Sequence, residues 1–115
     1  MTFRIKRVYE PAIEADGMRI LVDRLWPRGV SKVNAHLTQW LKDVAPSPEL
    51  RRWFDHKPER FAEFSRRYEK ELEDSAALKE LRKLGRNEVV TLVYGARDPE
   101  INHARVLLTL LRARK

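Results

Sequence analysis

Two short, continuously apolar stretches constrain the fold of this chain more than any other feature. One is Ile20-Leu21-Val22, within residues 19–23, and the other lies within EVVTLVYG, residues 88–95. Continuous runs of this kind are typical of strands buried on both faces. A long segment with helical periodicity separates them, so we expect parallel strands joined by a right-handed crossover. The sequence predicts an α/β fold, as one small domain spanning 1–115, with a short, largely parallel sheet of about three strands flanked by helices.

A third strand is predicted at the start of the chain. In residues 3–9, FRIKRVY, the apolar Phe3 and Ile5 alternate with Arg4 and Lys6. Alternation with period two indicates a strand with one face exposed. We therefore expect this strand at an edge of the sheet and the strand over residues 19–23 in a central position.

Helices are predicted between the second and third strands and after the third. Residues 31–47 suggest one or two short helical turns, and Ser47-Pro48 can begin a helix as N-cap and first residue. The clearest helix has an apolar stripe at spacings of three and four, formed by Phe61, Phe64, Tyr68 and Leu72. Another helix restarts at Asp74-Ser75 and ends at Gly85. For the last helix we expect Asp98 as the N-cap and Pro99 as the first residue.

The composition excludes several classes of chemistry. The 115 residues include no cysteine, which rules out disulfides, thiolate metal sites and thiol nucleophiles. The three histidines, His36, His56 and His103, show no spacing typical of a metal site on one helix, so we expect neither a metal nor another cofactor. No apolar run approaches the roughly 20 residues of a membrane span, and the first residues lack a signal-peptide core. We expect a cytoplasmic protein without a membrane partner.

A formal net charge of +7 and a pI of about 10.1 raise the possibility of nucleic-acid binding. The excess of Lys and Arg lies in residues 1–32 and 101–115, whereas residues 58–84 carry balanced charges. One alternative is thus a nucleic-acid-binding accessory or regulatory protein that uses its basic surface. Another is an adaptor that binds a protein through the balanced 58–84 segment.

A binding site is predicted where the apolar strands end. Ligands of open α/β sheets bind beyond the carboxyl ends of the strands, where residues 23–29 and 94–98 arrive. Arginines match phosphate and carboxylate oxygens with forked donors, glycines allow close backbone approach, and the last helix presents its amino end to an anion. The residues expected to contact a ligand are Arg24, Trp26, Arg28, Gly29, Tyr94, Arg97 and Asn102, with Gly95 nearby.

Asp23 and His103 are the candidate catalytic residues. His103 falls within the apolar arc of the last helix, while Asn102 and Arg105 share the opposite, solvent-facing arc. If the second and third strands are neighbours, His103 lies near Asp23 and can act as an acid or base oriented by that carboxylate. The alternatives are a buried histidine bonded to a backbone carbonyl and an Asp23 that caps a loop or pairs with Arg19 or Arg24.

The other chemistry-bearing residues have structural interpretations that we prefer. The Asp55-His56 pair precedes Lys57-Pro58 and is expected in the cap region of the long helix rather than as a catalytic pair. Trp26, Trp40 and Trp53 can stack on bases, but large aromatics in a small core usually serve as packing anchors.

Three stretches resemble a known family, the YeaO-like branch of domain-of-unknown-function family 488. They are KRVYEPAIEADGMRILVDRLWPRGVSK, APSPELRRWFDH and LVYGARDPEINHARVLL, of which the string DRLWPRG is the most specific. The resemblance covers nearly the whole chain and implies a compact α/β domain with parallel strands. It implies no established activity. In more distant members cysteines stand at the end of the third strand and in a Cys-His-Arg string. Here the matching positions are Tyr94, Asn102, His103 and Ala104, so only the histidine is shared.

These observations predict binding of an anionic, phosphate-bearing small molecule or nucleotide at the carboxyl edge of the sheet. If there is turnover, hydrolysis through a water activated by Asp23 and His103 is the simplest chemistry. The pocket interpretation predicts affinity concentrated in two or three arginines. Nucleic-acid binding predicts a steep salt dependence spread over many basic residues. The sequence indicates nothing about the oligomeric state.

Overall fold

The computed structural model of this protein describes residues 2–113. Its strands and helices follow one another in the order β1 (Thr2–Arg7), β2 (Met18–Leu21), α1 (Lys32–Ala35), β3 (Gln39–Trp40), α2 (Pro48–Phe54), α3 (Phe61–Leu72), α4 (Ala76–Leu84), β4 (Val89–Tyr94) and α5 (His103–Ala113). Short 3-10 turns lie at Glu14–Asp16, Lys42–Val44 and Pro58–Arg60. No helix in this part of the chain is long and apolar enough to cross a membrane.

The four strands form one parallel sheet in the order β1-β4-β2-β3. The predicted α/β fold is confirmed, as are the edge position of β1 and the central position of β2. Residues 2–113 contain four strands rather than three. The additional strand, β3, is only two residues long and pairs with Ile20 and Leu21 of β2. Two residues are too few to show an alternating pattern. For this reason the sequence predicted only short helical turns in residues 31–47.

The two faces of the sheet are covered differently. Side chains alternate between the faces of a strand, and Ile20 and Val22 accordingly belong to the large hydrophobic core, whereas Leu21 belongs to a smaller cluster with Val8, Ala35 and Val93. Trp26 and Trp40 pack against that smaller cluster, with their ring centroids 5.3 Å apart. The large core therefore positions the helices that border the carboxyl edge of the sheet.

The apolar stripe of α3 is buried as predicted. Phe64, Tyr68 and Leu72 are each at most 4% exposed, and Phe61 packs against them from a partly buried position. Tyr68 lies at the centre of this packing, and its hydroxyl donates to the carbonyl oxygen of Val44 at 2.5 Å. Burial raises the pKa of Tyr68 well above its ordinary value. This side chain thus ties α3 to the turn that precedes α2.

The start of α5 differs from the prediction. The helix begins at His103, not at Pro99, and its cap is Asn102, whose Oδ1 accepts from the amide of Arg105 at 2.8 Å. Asp98 instead closes a turn, because its Oδ1 accepts from the amides of Glu100 and Ile101. The side-chain amide of Asn102 also donates to the carbonyl of Asp98 at 2.7 Å, and so takes the acceptor that a helix continuing from Asp98 would use.

A buried ion-pair network fixes the amino-terminal side of the sheet. Asp16 and Arg19 are 3% and 4% exposed, and Arg19 Nη1 lies 2.7 Å from Asp16 Oδ2. Lys6 donates to the same carboxylate at 2.9 Å, and Arg19 also donates twice to the carbonyl of Ala35. Burial alone would raise the pKa of Asp16, but hydrogen bonds from Lys6, the Ile13 amide and Arg19 outweigh it and hold the pKa below its ordinary value.

Candidate functional site

A cavity of about 200 Å³ opens at the carboxyl edge of the sheet. It forms there because β2 and β4 are neighbours, with Leu21 opposite Val93, so the segments that follow both strands come together. Helices α2 and α3 close the remaining sides. The residues that line the cavity are Asp23, Arg24, Leu25, Ala45, Pro46, Arg51, Phe54, His56, Phe64, Ala96, Asn102 and His103.

Asp23 joins the two strand ends. Its Oδ2 accepts from the amide of Gly95 at 2.9 Å, and its backbone carbonyl accepts from Trp40 Nε1 at 2.7 Å. A Cβ at Gly95 would lie 3.1 Å from Asp23 Oδ2 and 3.3 Å from Pro27 Cβ, so a larger residue at this position would require Asp23 or Pro27 to shift slightly. Asp23 therefore pairs with neither Arg19 nor Arg24, the two partners considered from the sequence.

His103 stands beside Asp23, at the amino end of α5. Its Nε2 lies 3.0 Å from the carbonyl oxygen of Val22 and 3.1 Å from Asp23 Oδ1. The hydrogen-bond geometry favours the carbonyl, because the buried Oδ1 makes no hydrogen bond. Since a carbonyl oxygen only accepts, Nε2 carries a proton, and Nδ1 is the ring nitrogen that remains to take one up. The structure therefore combines the two interpretations, a histidine bonded to the backbone and one close to a carboxylate.

Two arginines supply positive charge to the cavity. Arg24 is held by the carbonyl oxygens of Pro46 and Ala45, each 3.2 Å from a guanidinium nitrogen. Arg51, in the last turn of α2, is exposed and makes no side-chain hydrogen bond within the described part of the chain. No carboxylate in residues 2–113 forms an ion pair with either guanidinium. With the histidines neutral, the lining carries these two cations against the single carboxylate of Asp23.

Tyr94 and Asn102 lie at the same edge but are enclosed. Tyr94 is 2% exposed, and burial raises the pKa of its hydroxyl, an effect that the carboxylate of Glu10 reinforces. Asn102 is 1% exposed, so its predicted place on the solvent-facing arc of the last helix is wrong. Its side chain is turned inward because both ends of the amide are engaged, one with Arg105 and one with Asp98.

Five of the residues predicted to contact a ligand are not in the lining, namely Trp26, Arg28, Gly29, Tyr94 and Arg97. Arg28, Gly29 and Arg97 are exposed, and Gly29 has open space where a Cβ would be. The indole of Trp26 donates to the carbonyl of Val30 at 2.6 Å, which holds the loop in shape. A role of these residues in ligand binding stays a prediction, and Arg24 is the predicted arginine that the cavity includes.

Sequence reasoning missed Arg51 and His56 as lining residues. The Asp55-His56 pair follows α2 rather than capping the long helix, and Asp55 is the C-cap of α2. Both residues have left-handed backbone, with φ of 49° and 55°, and this turn brings His56 back to the cavity. The Asp55-His56 pair lies between two predicted helices, which is a usual place for a turn. Nothing in the pair indicated which end of the sheet α2 would border.

Within residues 2–113 no three His, Asp or Glu side chains are grouped so that they could hold a metal ion. The cavity therefore offers hydrogen-bond donors, two guanidinium groups and a single, partly buried carboxylate. These groups can bind an anion and, through His103 Nδ1, accept a proton.

Comparison with known proteins identifies relatives of this chain and its family. The chain is 54% identical over 111 residues to an uncharacterised protein of Mycobacterium tuberculosis strain H37Rv, an alignment that covers 96% of this chain and 94% of the relative. It is 42% identical over 114 residues to the uncharacterised protein YeaO of Escherichia coli K12, covering 98% and 99%. No solved structure matches the chain. Residues 2–115 match the family described as the inactive DUF488-N3 subclade, and the chain belongs to that family, DUF488-N3i.

Proposed function

We propose that this protein binds a small phosphate-bearing molecule in the cavity at the carboxyl edge of its sheet. The observation that carries the proposal is the pair Arg24 and Arg51, which line one cavity and have no carboxylate partner in residues 2–113. Guanidinium groups match phosphate oxygens with two parallel donors. Because Arg24 is already held by two backbone carbonyls, little conformational entropy is lost when an anion binds it.

Binding without turnover is the form of the proposal that the family description favours, since the subclade is named inactive. The residues suggested for acid–base hydrolysis also make structural contacts, since Asp23 joins the ends of β2 and β4 through Gly95 and His103 joins α5 to the end of β2 through Val22. A structural role of that kind accounts for both side chains in a protein that binds its ligand and releases it unchanged.

The test is a calorimetric titration with inorganic phosphate and adenosine monophosphate, supported by thermal shift. Arg51→Gln removes a lining cation, and Arg52→Gln is its matched control, because Arg52 is exposed on the same helix but is not in the lining. We expect Arg51→Gln to weaken anion binding about tenfold or more, as expected for loss of a charge-assisted hydrogen bond. Arg52→Gln is expected to leave it unchanged.

Equal effects of the two substitutions, or no binding by the wild type, would contradict the cavity as the site. Arg28→Ala and Arg97→Ala extend the series to the exposed arginines that the sequence suggested. Short single- and double-stranded DNA, each at two salt concentrations, are titrated as further ligands. Binding of DNA alone, lost at the higher salt and insensitive to Arg51, would replace the proposal with nucleic-acid binding by the basic surface.

A further inference from the structure

The cavity is apolar over much of its wall. Half of its lining residues have side chains without a polar group. They are Leu25, Ala45, Pro46, Phe54, Phe64 and Ala96. A site for a free inorganic ion gains nothing from such a wall, because each apolar group takes the place of a possible donor. Sites for organic ligands have this composition, with a few polar groups that fix the orientation.

We propose that the ligand is a phosphomonoester whose organic part is compact and apolar, with about six carbon atoms. This inference rests on the proposed function and specifies the chemical class of the ligand. A cavity of about 150 Å³ is enough to hold benzene. The cavity of about 200 Å³ found here has room for a ring or a short branched chain, with the phosphate at its mouth. It is too small to enclose a whole nucleotide, since pockets for ligands of that size span roughly 300 Å³ or more.

The position of Leu25 supports this assignment. Leu25 is 59% exposed although it lines the cavity. The residues on either side of Leu25 are held in place: the carbonyl of Asp23 accepts from Trp40, the indole of Trp26 donates to the carbonyl of Val30, and Pro27 is buried. The loop therefore presents a large apolar side chain to solvent at the rim. An apolar ligand body lying against Leu25 removes that surface from water.

The polar groups lie where a phosphate attached to such a body would need them. Arg51 is exposed and Arg24 is partly buried, so positive charge is present at the mouth of the cavity. The buried Phe64, by contrast, is 1% exposed and forms part of the interior wall together with Phe54, at a ring-centroid distance of 4.2 Å. The ligand is thus oriented with its anionic end outward and its apolar end against the phenylalanines.

The experiment compares methyl phosphate with phenyl phosphate, which carry the same charged group and differ in the apolar body. We expect phenyl phosphate to bind about tenfold more tightly, equivalent to about 1.4 kcal/mol. Burial of about 55 Å² of apolar surface is enough for this difference. In Leu25→Ser the ratio of the affinities for phenyl phosphate and methyl phosphate is expected to fall about threefold. Val33→Ser is the matched control, since Val33 is 77% exposed and is not in the lining.

The possible results separate this inference from the proposed function. If methyl and phenyl phosphate bind equally well and both depend on Arg51, the anion site stands and the apolar ligand class is overturned. Tighter binding of adenosine monophosphate than of phenyl phosphate also overturns the ligand class, because the cavity would then not limit the size. If neither phosphate ester binds, the proposed function fails together with this inference.

Discussion

His103 Nε2 lies 3.0 Å from the carbonyl oxygen of Val22, the buried residue that directly follows β2. This contact ties the first residue of α5 to a central strand of the sheet. It also brings the imidazole to within 3.1 Å of Asp23 Oδ1, without directing its proton at that atom. One hydrogen bond thus joins the start of α5 to the end of β2 and sets the tautomer of the histidine.

The first prediction concerns that tautomer and its contribution to stability. Nitrogen NMR is expected to show neutral His103 protonated at Nε2, because the Val22 carbonyl can only accept. His103→Ala leaves this carbonyl without its partner, and we expect a loss of about 1–3 kcal/mol in the free energy of unfolding.

His103→Gln provides the control, since its side-chain amide can still donate to the carbonyl of Val22. We expect this variant to retain a substantial part of the stability that His103→Ala loses. Protonation at Nδ1 in neutral His103, or equal stabilities of the two variants, would show that the bond to Val22 is not what holds α5.

The second prediction compares two glycines with left-handed backbone. Gly17 and Gly29 have φ of 65° and 77°, so alanine is strained at both positions. A Cβ at Gly17 would also lie 2.4 Å from the carbonyl oxygen of Val89, whereas Gly29 has nothing within 4 Å. We expect Gly29→Ala to lower the free energy of unfolding by about 1 kcal/mol, which is the strain of alanine at positive φ alone. Gly17→Ala is expected to cost more, since β4 must also shift.

Chemical denaturation of the two variants measures the difference directly. Both substitutions place a Cβ on backbone with positive φ, and Gly17→Ala adds the contact with the Val89 carbonyl and a ψ of −133° that alanine rarely adopts. Equal losses would mean that β4 moves aside without cost, and that the β2–β4 register does not depend on this turn.

The sheet could be predicted because its signals are local. The apolar runs of β2 and β4 mark strands buried on both faces, and the stripe of α3 marks one buried helix face. The start of α5 could not be predicted in this way. Asp98 and Asn102 are both good capping residues, and the choice between them depends on their mutual hydrogen bond, which exists only once the turn has formed.

The candidate site was predictable only where it is built from strand ends. Asp23 and His103 meet because β2 and β4 are neighbours, the condition under which the sequence predicted that they lie close together. Arg51 lies on α2 and His56 follows it, in the connection between β2 and β4. The direction of α2 depends on how this helix packs against α3. That packing is a tertiary contact between Phe54 and Phe64, and no spacing in the sequence encodes it.

The last prediction concerns the stability of the protein in acid. Hydrogen bonds hold the pKa of Asp16 below the ordinary value of 3.8, so the unfolded chain binds a proton more readily than the folded one. The contribution of Asp16 is therefore fully present above pH 3.8 and is lost as the pH falls through the folded-state pKa. We expect the free energy of unfolding to fall in that window, and Asp16→Asn to remove this part of the pH dependence.

At neutral pH, Asp16→Asn is expected to lower the free energy of unfolding by about 3–5 kcal/mol, because the guanidinium of Arg19 then stays buried without its counter-ion. Glu63→Gln is the matched control. Glu63 also has a lowered pKa, caused by hydrogen bonds from Arg67 and Arg66, but it lies on the exposed face of α3, where solvent screens the pairs. We expect a much smaller loss in this variant. Denaturation at neutral pH and at several values below pH 3.8 measures both effects. Similar losses in the two variants would show that Arg19 reaches water when Asp16 is neutralised, and that burial does not set the strength of this pair.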